Sequence, residues 1–428
     1  MILTGRSVAL IGVGALATVL TRNPWLMLAW TAAVIIAATV DWAFLPRRFT
    51  AQRASLPAVR LSQTHAHTIR VTNTSTRRIR GRIRDSWQPS AGALRNDHRI
   101  DLAPGHTRTI TTLLHPRRRG HLHAHRLVLR ARSAVGLAWR QTTVPAPAAM
   151  RVLPEFKARR HLPSRLARLR ELDGQTSLLV RGEGTEFDSL RDYVDGDDVR
   201  SLDWRASARR QELVVRTWRP ERDRRVLIVL DTSRLAAARL QEETRLDAGI
   251  ETALLMAALA NHAGDQVDVI AADRQIRARV SESRGAATMA AFADALGPLE
   301  AELTEPDWPL ITRTVLGQLT GRALVVLCTA VDPSSLSSGL ITATQTLAAR
   351  HQVIVASATD PVEGELRRRR ETTEDVYIAA AAARAEADRL QVETLLTSSG
   401  SHVIQTDPDD LAPRVADRYL ELKAAGKL

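Results

Sequence analysis

Two apolar runs separated by only four residues open this chain and restrict its fold more than any other feature. Residues 7–20 contain no charged side chain, and residues 25–40 form a second run that 42–45 extend past Asp41. A stretch of about 20 apolar residues crosses the hydrocarbon core of a bilayer. Thr21-Arg22-Asn23-Pro24 between the runs has the composition of a turn. The pair therefore reads as a transmembrane helical hairpin over residues 1–48, with Trp25, Trp30 and Trp42 suited to the interfaces. A cleaved signal peptide is a competing reading, but no small-residue cleavage site follows the first run and the second begins at once. A hairpin buried in a soluble core is the other, because both runs are short. Arg6 precedes the first run, and Arg47, Arg48 and Arg53 follow the second, against Arg22 alone in the turn. The positive-inside rule then places both ends of the hairpin, and the soluble domains, on the cytoplasmic side of a cell membrane.

The rest of the composition fits that placement. The lone cysteine, Cys328, excludes an internal disulfide and lies in the apolar run 323–329, where a packed, unreactive thiol is expected. The formal charge is +13, which suits a chain held beside anionic headgroups. Arginines gather at 77–84, 117–119, 159–170 and 367–370 without interleaved aromatics, so nucleic acid is not an expected partner.

Residues 59–154 change to a period of two, as in Thr68-Ile69-Arg70-Val71-Thr72 and Leu127-Val128-Leu129-Arg130, with turn residues between such stretches. This predicts a small antiparallel β-sandwich. His121, His123 and His125 would share one face of a strand, more fitting for a surface than for a metal, since Arg117–Arg119 and Arg126 flank them without a carboxylate. Residues 224–428 alternate short apolar strands (225–230, 266–272, 323–328, 352–356) with Ala- and Leu-rich helices, predicting an α/β domain with a mostly parallel sheet covered on both faces. Ligands of such sheets bind at the carboxyl ends of the strands, where Asp231-Thr232-Ser233 falls.

The segment 155–223 links the two domains. Its distinctive residues are Gly182, Gly184, Glu186, Phe187, Arg191, Tyr193, Gly196, Asp197, Arg200, Asp203, Trp204 and Arg209. Gly182-Glu183-Gly184 lacks the third glycine of a dinucleotide fingerprint, and Asp195-Gly196-Asp197-Asp198 lacks the spacing of a calcium loop. The interleaved arginines and carboxylates suit ion pairs that fix an irregular segment, with Trp204 as apolar anchor; direct contact of these residues with a partner is the other reading.

This stretch resembles the signature of the domain-of-unknown-function 58 family, and the order of hairpin, β-region, signature and α/β region is similar to that of the family. The resemblance implies a Rossmann-like, von Willebrand factor A-like C-terminal domain. It also implies membrane association and a MoxR-type AAA+ ATPase as partner, in the assembly or maturation of a client protein complex. The von Willebrand pattern implies a metal-ion-dependent adhesion site. Asp231 and Ser233 match its first two ligands; Leu235 stands at the third, Thr288 is an unanchored match for the threonine, and Ala330 falls where an aspartate is expected, with Asp332 two residues late. The set is incomplete for Mg²⁺. No phosphate loop, nucleophile elbow or zinc helix appears, so the expectation is a non-enzymatic interaction protein without a cofactor; the alternative is a metal-dependent adhesion-type binder.

Overall fold

The computed structural model describes residues 2–46, 48–133, 135–179, 186–194, 197–219, 224–283 and 287–428. They form two compact units, Met1–Glu155 and Phe156–Leu428.

In the first unit, β1 (Ile2–Leu3) leads into α1 (Gly5–Thr21), which Arg22 turns, in the left-handed conformation at φ 52°, into α2 (Pro24–Ala43). Asn23 caps α2 by accepting from the Trp25 N–H, and Pro24 supplies the fixed first position. The helices pack where Gly14 meets Trp30: a Cβ at Gly14 would come within 2.1 Å of the indole. The Trp30 Nε1–H donates to the Leu10 carbonyl at 2.7 Å. Away from that seam the helices expose Val13, Leu16, Val19, Leu20, Trp25, Leu28 and Ile36. α2 is long and apolar enough to cross a membrane; α1 is shorter, at 17 residues.

The same unit contains β2 (Thr50–Arg53), β3 (Val59–Arg60), β4 (His65–Thr72), β5 (Ile79–Trp87), β6 (Ala93–Leu94), β7 (Asp97–Leu102), β8 (Thr107–Leu114), β9 (Gly120–Arg132) and β10 (Ala138–Leu153). They make one sheet of order β1-β10-β9-β5-β7, with β3 parallel to β10, and a second of order β2-β4-β8-β6. The period-two alternation turns Ile69, Val71 and Ile110 of one sheet toward Ile79, Ile83, Leu127 and Leu129 of the other. Strands on both sides of the helices complete the sheets, so the β-domain begins earlier than residue 59.

The helices also bond directly into this domain. At the turn between β9 and β10, the Leu137 carbonyl accepts from the Thr4 N–H (3.1 Å) and the Ser7 hydroxyl (2.6 Å), and the Gly136 carbonyl from the Thr4 hydroxyl (2.7 Å). From α2, Asp41 accepts the Leu137 N–H at 3.0 Å. Arg140 lies 4.0 Å over the Trp42 ring and donates to the Leu45 carbonyl.

The second unit comprises, in chain order, α3 (Leu162–Leu179), β11 (Glu186–Asp192), α4 (Trp204–Arg210), β12 (Val214–Arg219), β13 (Arg225–Asp231), β14 (Arg239–Leu240), β15 (Glu243–Thr244) and α5 (Arg245–His262). Then follow β16 (Gln266–Ala272), β17 (Ile276–Ser283), α6 (Ala287–Leu296), α7 (Trp308–Gln318), β18 (Leu324–Cys328), α8 (Pro333–Ser337), α9 (Leu340–Ala348) and β19 (Gln352–Ala358). α10 (Pro361–Leu366), α11 (Thr373–Ser398), β20 (His402–Thr406) and α12 (Pro408–Ala424) close the chain. The main sheet has the order β17-β16-β13-β18-β19-β20 and is parallel except for the edge strand β17. Val226, Ile228 and Leu230 pack on one face with α5, α6 and α12; Leu227 and Val229 pack on the other with α7, α9 and α11. α5 approaches closely at Gly249, where a Cβ would stand 3.3 Å from Cys328 and Leu230 atoms. Burial pushes the Cys328 thiol up to about 12, so it packs as an apolar group.

Residues 156–172, expected as linker, belong partly to this core. Ala158 and Leu169 are buried in it, with Phe156, Leu162, Leu166 and Leu172 packed alongside. The Ala158 N–H donates to the Glu251 carboxyl of α5. Burial raises that carboxyl from 4.5 to about 7. The folded state therefore holds a proton that the unfolded chain releases between those values, and the stabilisation present below pH 4.5 is lost as pH rises through 7. Thermal unfolding followed by circular dichroism should show a higher midpoint at pH 5.5 than at pH 8. Glu251→Gln should flatten that difference, which amounts to about 2 kcal/mol at most.

Candidate functional site

The signature segment folds as a small unit of its own. β11 and β12 pair antiparallel, from Glu186 opposite Arg219 and Phe187 opposite Trp218 to Asp192 opposite Val214. Arg191 grips Asp197 with two hydrogen bonds, 2.7 and 2.6 Å, and Asp197 also accepts the Val194 N–H. The guanidinium, then the backbone amide, holds the Asp197 carboxyl below its usual range. Asp198 caps a short 3-10 turn over Val199–Ser201 that carries the exposed Arg200. Asp203 caps α4 through the Arg205 and Ala206 amides and pairs with Arg216 at 2.8 Å. The Ala206 amide and that arginine depress its pKa. The Tyr193 N–H donates to the Leu213 carbonyl, and Arg209 is exposed in the last turn of α4. Gly182, Gly184 and Gly196 lie outside the described residues.

One expectation is corrected here. Trp204 is not the segment's apolar anchor: it is 66% exposed. The cap at Asp203 fixes Trp204 as the first helical residue, and the inner side is taken by Val214, Val215 and Ser207, whose hydroxyl accepts the Val214 N–H. Among the described residues, the ion pairs Arg191–Asp197 and Asp203–Arg216 close within residues 191–216. In the same segment Val194, Val199 and Leu213 are exposed as well. A fixed backbone thus presents four apolar side chains to solvent.

The second candidate lies at the carboxyl end of the main sheet. β13 is flanked by β16 on one side and β18 on the other, so the strand order reverses here, where open α/β sheets bind ligands. Asp231 is only 2% exposed. One of its oxygens accepts the Ser233 N–H (2.8 Å) and the other the Thr329 hydroxyl (2.6 Å). Burial pushes the carboxyl well above its usual range, opposed by Thr329 and Ser233. The Ser233 hydroxyl stands beside the same carboxyl without a well-formed hydrogen bond, and the buried Thr288 hydroxyl has no partner among the described residues. Thr232 donates to Asp273, whose pKa burial alone would raise but Arg277 and Thr232 bring down. The loop before α7 covers this end, with the Glu302 N–H on the Thr232 carbonyl and the Arg234 N–H on the Thr304 carbonyl.

These donors fit a divalent cation poorly. Asp231 is the one carboxylate among the matched positions, and both its oxygens are engaged. Asp332 is used locally, accepting from Ser334 and Ser335 at the start of α8. Arg245 already places a positive charge at this end: it donates to the Leu235 and Ala358 carbonyls and interacts electrostatically with Asp332 and Asp231. No group of three or more His, Cys, Asp or Glu side chains suited to a metal occurs among the described residues. His121, His123 and His125 are exposed on one face of β9. The sequence pattern pointed to Asp231, but Thr329 and Arg245 carry no motif that marks them as its surroundings.

Residues 189–383 match the family described as "Protein of unknown function DUF58". No curated protein matches. Among solved structures, an ASH/PapD-like domain of human CEP192 is similar over 25% of this chain and 87% of that one, at 7% identity and a TM-score of 0.20. A FixG-related protein from Vibrio parahaemolyticus is similar over 25% and 96%, at 12% identity and a TM-score of 0.17. A GH20 exo-β-N-acetylglucosaminidase from Vibrio harveyi aligns over 84% and 75%, at 10% identity and a TM-score of 0.18. Likenesses this slight carry no argument about fold or activity.

Three outcomes are expected. Asp231→Ala strands the Ser233 N–H and the Thr329 hydroxyl in a buried site and should lower stability in urea titrations by about 1–3 kcal/mol. Millimolar Mg²⁺ or Mn²⁺ should leave the thermal midpoint of the unaltered chain where it was; a rise that Asp231→Ala abolishes would establish a metal site. Separately, Asp203→Ala should cost about 1 kcal/mol of local stability, read as faster amide hydrogen exchange over residues 204–216.

Proposed function

We propose that this protein is a membrane-anchored, non-enzymatic interaction protein, whose soluble domains on the cytoplasmic side engage an AAA+ ATPase of the MoxR type and a client complex. The observation that carries this reading is the exposed set Val194, Val199, Trp204 and Leu213 on the ion-paired signature segment. Aromatic and aliphatic side chains on a rigid exposed backbone are a form that partner surfaces take. A second exposed set, Val376, Tyr377 and Ile378 near the start of α11, offers a further contact of the same kind. The von Willebrand factor A-like character of the α/β domain, drawn from the family resemblance, supports binding rather than catalysis. The sheet order, with a switch point at Asp231, is compatible with it. The metal-dependent alternative has the donor set against it.

Anchoring as a two-span hairpin draws support from the exposed apolar faces of both helices, and from the attachment of both outer ends to one turn of the β-domain. α2 would run about 30 Å and α1 about 25 Å, close to the thickness of the hydrocarbon core. The basic residues flanking the pair favour the cytoplasmic side.

The test is affinity capture of the full-length chain from detergent-solubilised native membranes, with ATP or ADP present, followed by identification of bound proteins. An AAA+ ATPase should be recovered, and Trp204→Ala should reduce its recovery about tenfold while leaving the circular dichroism unchanged. Capture without any such ATPase, or recovery indifferent to Trp204, would overturn the reading.

A further inference from the structure

The outer face of the sheet β1-β10-β9-β5-β7 holds a concavity of about 750 Å³, and its charge is one-sided. Arg82, Arg84, Arg126 and Arg130 line it, against the single carboxylate of Asp97. The strand register puts Arg82 directly opposite Arg130 on the neighbouring strand. Like charges facing each other across a strand pair are unfavourable unless an anion lies between them. Asp97 stands 3.6 Å from Arg82, and Arg130 donates to Gln141; among the described residues Arg84 and Arg126 make no ion pair. All four arginines are exposed, so this is an accessible cluster rather than a buried network.

The position of the concavity says which anion. Its wall includes Leu3, Thr4 and Gly5, the residues that lead into α1. Val8, three positions beyond Gly5, is already an exposed apolar residue of that helix. Three helical residues rise about 5 Å, within the depth of the headgroup layer on one side of a bilayer. Trp139, half-buried in the same wall, has the side chain that favours this interface.

We propose that this arginine-lined concavity binds the phosphate of an anionic phospholipid headgroup from the bilayer around α1 and α2. The site rests on the membrane anchoring argued above and adds lipid selectivity to it. Arg126 supplies charge that no carboxylate faces across the strands, Arg84 stands opposite Asp97 without an ion pair, and the facing pair Arg82 and Arg130 closes on the phosphate oxygens.

The test uses the full-length chain in neutral detergent micelles, titrated with phosphatidylglycerol, with phosphatidylcholine and with inorganic phosphate, bound lipid being read by native mass spectrometry. Phosphatidylglycerol should bind about thirtyfold more tightly than phosphatidylcholine, and the double variant Arg84→Gln, Arg126→Gln should lose about that factor. The pair Arg82→Gln, Arg130→Gln, at equally exposed positions, provides a second variant should the first not fold, and the same loss is expected of it. Equal binding of the two lipids, or variants that bind as the unaltered chain does, would overturn the proposal. So would inorganic phosphate competing as well as the lipid, which would mean a free-anion site. Displacement by an acidic peptide or an oligonucleotide at lower concentration than the lipid would do the same. An alkaline carbonate wash of native membranes separates this from the anchoring itself. A chain that washes off refutes the anchor, whereas a chain that stays but shows no headgroup preference refutes only the site.

Discussion

The Leu137 peptide unit receives both outer ends of the apolar helical pair. Its carbonyl takes the Thr4 N–H and the Ser7 hydroxyl from the start of α1, and its N–H goes to the Asp41 carboxylate near the end of α2. Helix termini leave backbone and side-chain polar groups that need partners, and here the partners are supplied by one turn of the sandwich. Gly136, in the left-handed conformation at φ 82°, lets that turn offer its carbonyl to Thr4. The consequence reaches across the unit. β1 adds to the edge of β10, the helices leave the β-domain side by side, and the arginine-lined sheet face lies next to the first turn of α1.

The second unit is organised by burial of a different kind. A parallel sheet covered on both faces leaves polar groups only at strand ends, so the turn after β13 must satisfy Asp231 internally. It does so with Thr329 and the Ser233 amide, under the loop before α7 and beside the charge of Arg245. A carboxyl held this way serves the integrity of the switch point. The segment from Phe156 to Leu172 is drawn into the same core, and Glu251 ties it down at the cost of a raised pKa. Metal binding, where the von Willebrand pattern would place it, has to compete with these existing bonds.

The signature shows how far residue patterning reaches. Interleaved arginines and aspartates announced ion pairs, and Arg191–Asp197 is one of them, whereas Asp203 pairs with Arg216, beyond the interleaved stretch. The pattern did not announce that the pairs would close inside the segment. Nor did it show that Asp203, as an N-cap, would leave Trp204 in solvent while two valines took the inner side. Side-chain type alone favours burying a tryptophan; a helix cap one residue earlier decides against it.

The sequence by itself determined the apolar helical pair, the strand alternation of the first unit, the parallel α/β order of the second and the family match over residues 189–383. These are read from periodicities of two and 3.6 and from a contiguous motif, properties local in the chain. Tertiary structure alone decided what meets across long separations. Asp231 finds Thr329 at 98 residues' distance, both helix ends find Leu137, and Arg82 comes to face Arg130 through the register of β5 with β9. Strand order and register follow from packing of the whole core, where a one-residue slip would turn every buried side chain outward, and no local stretch of sequence carries that information.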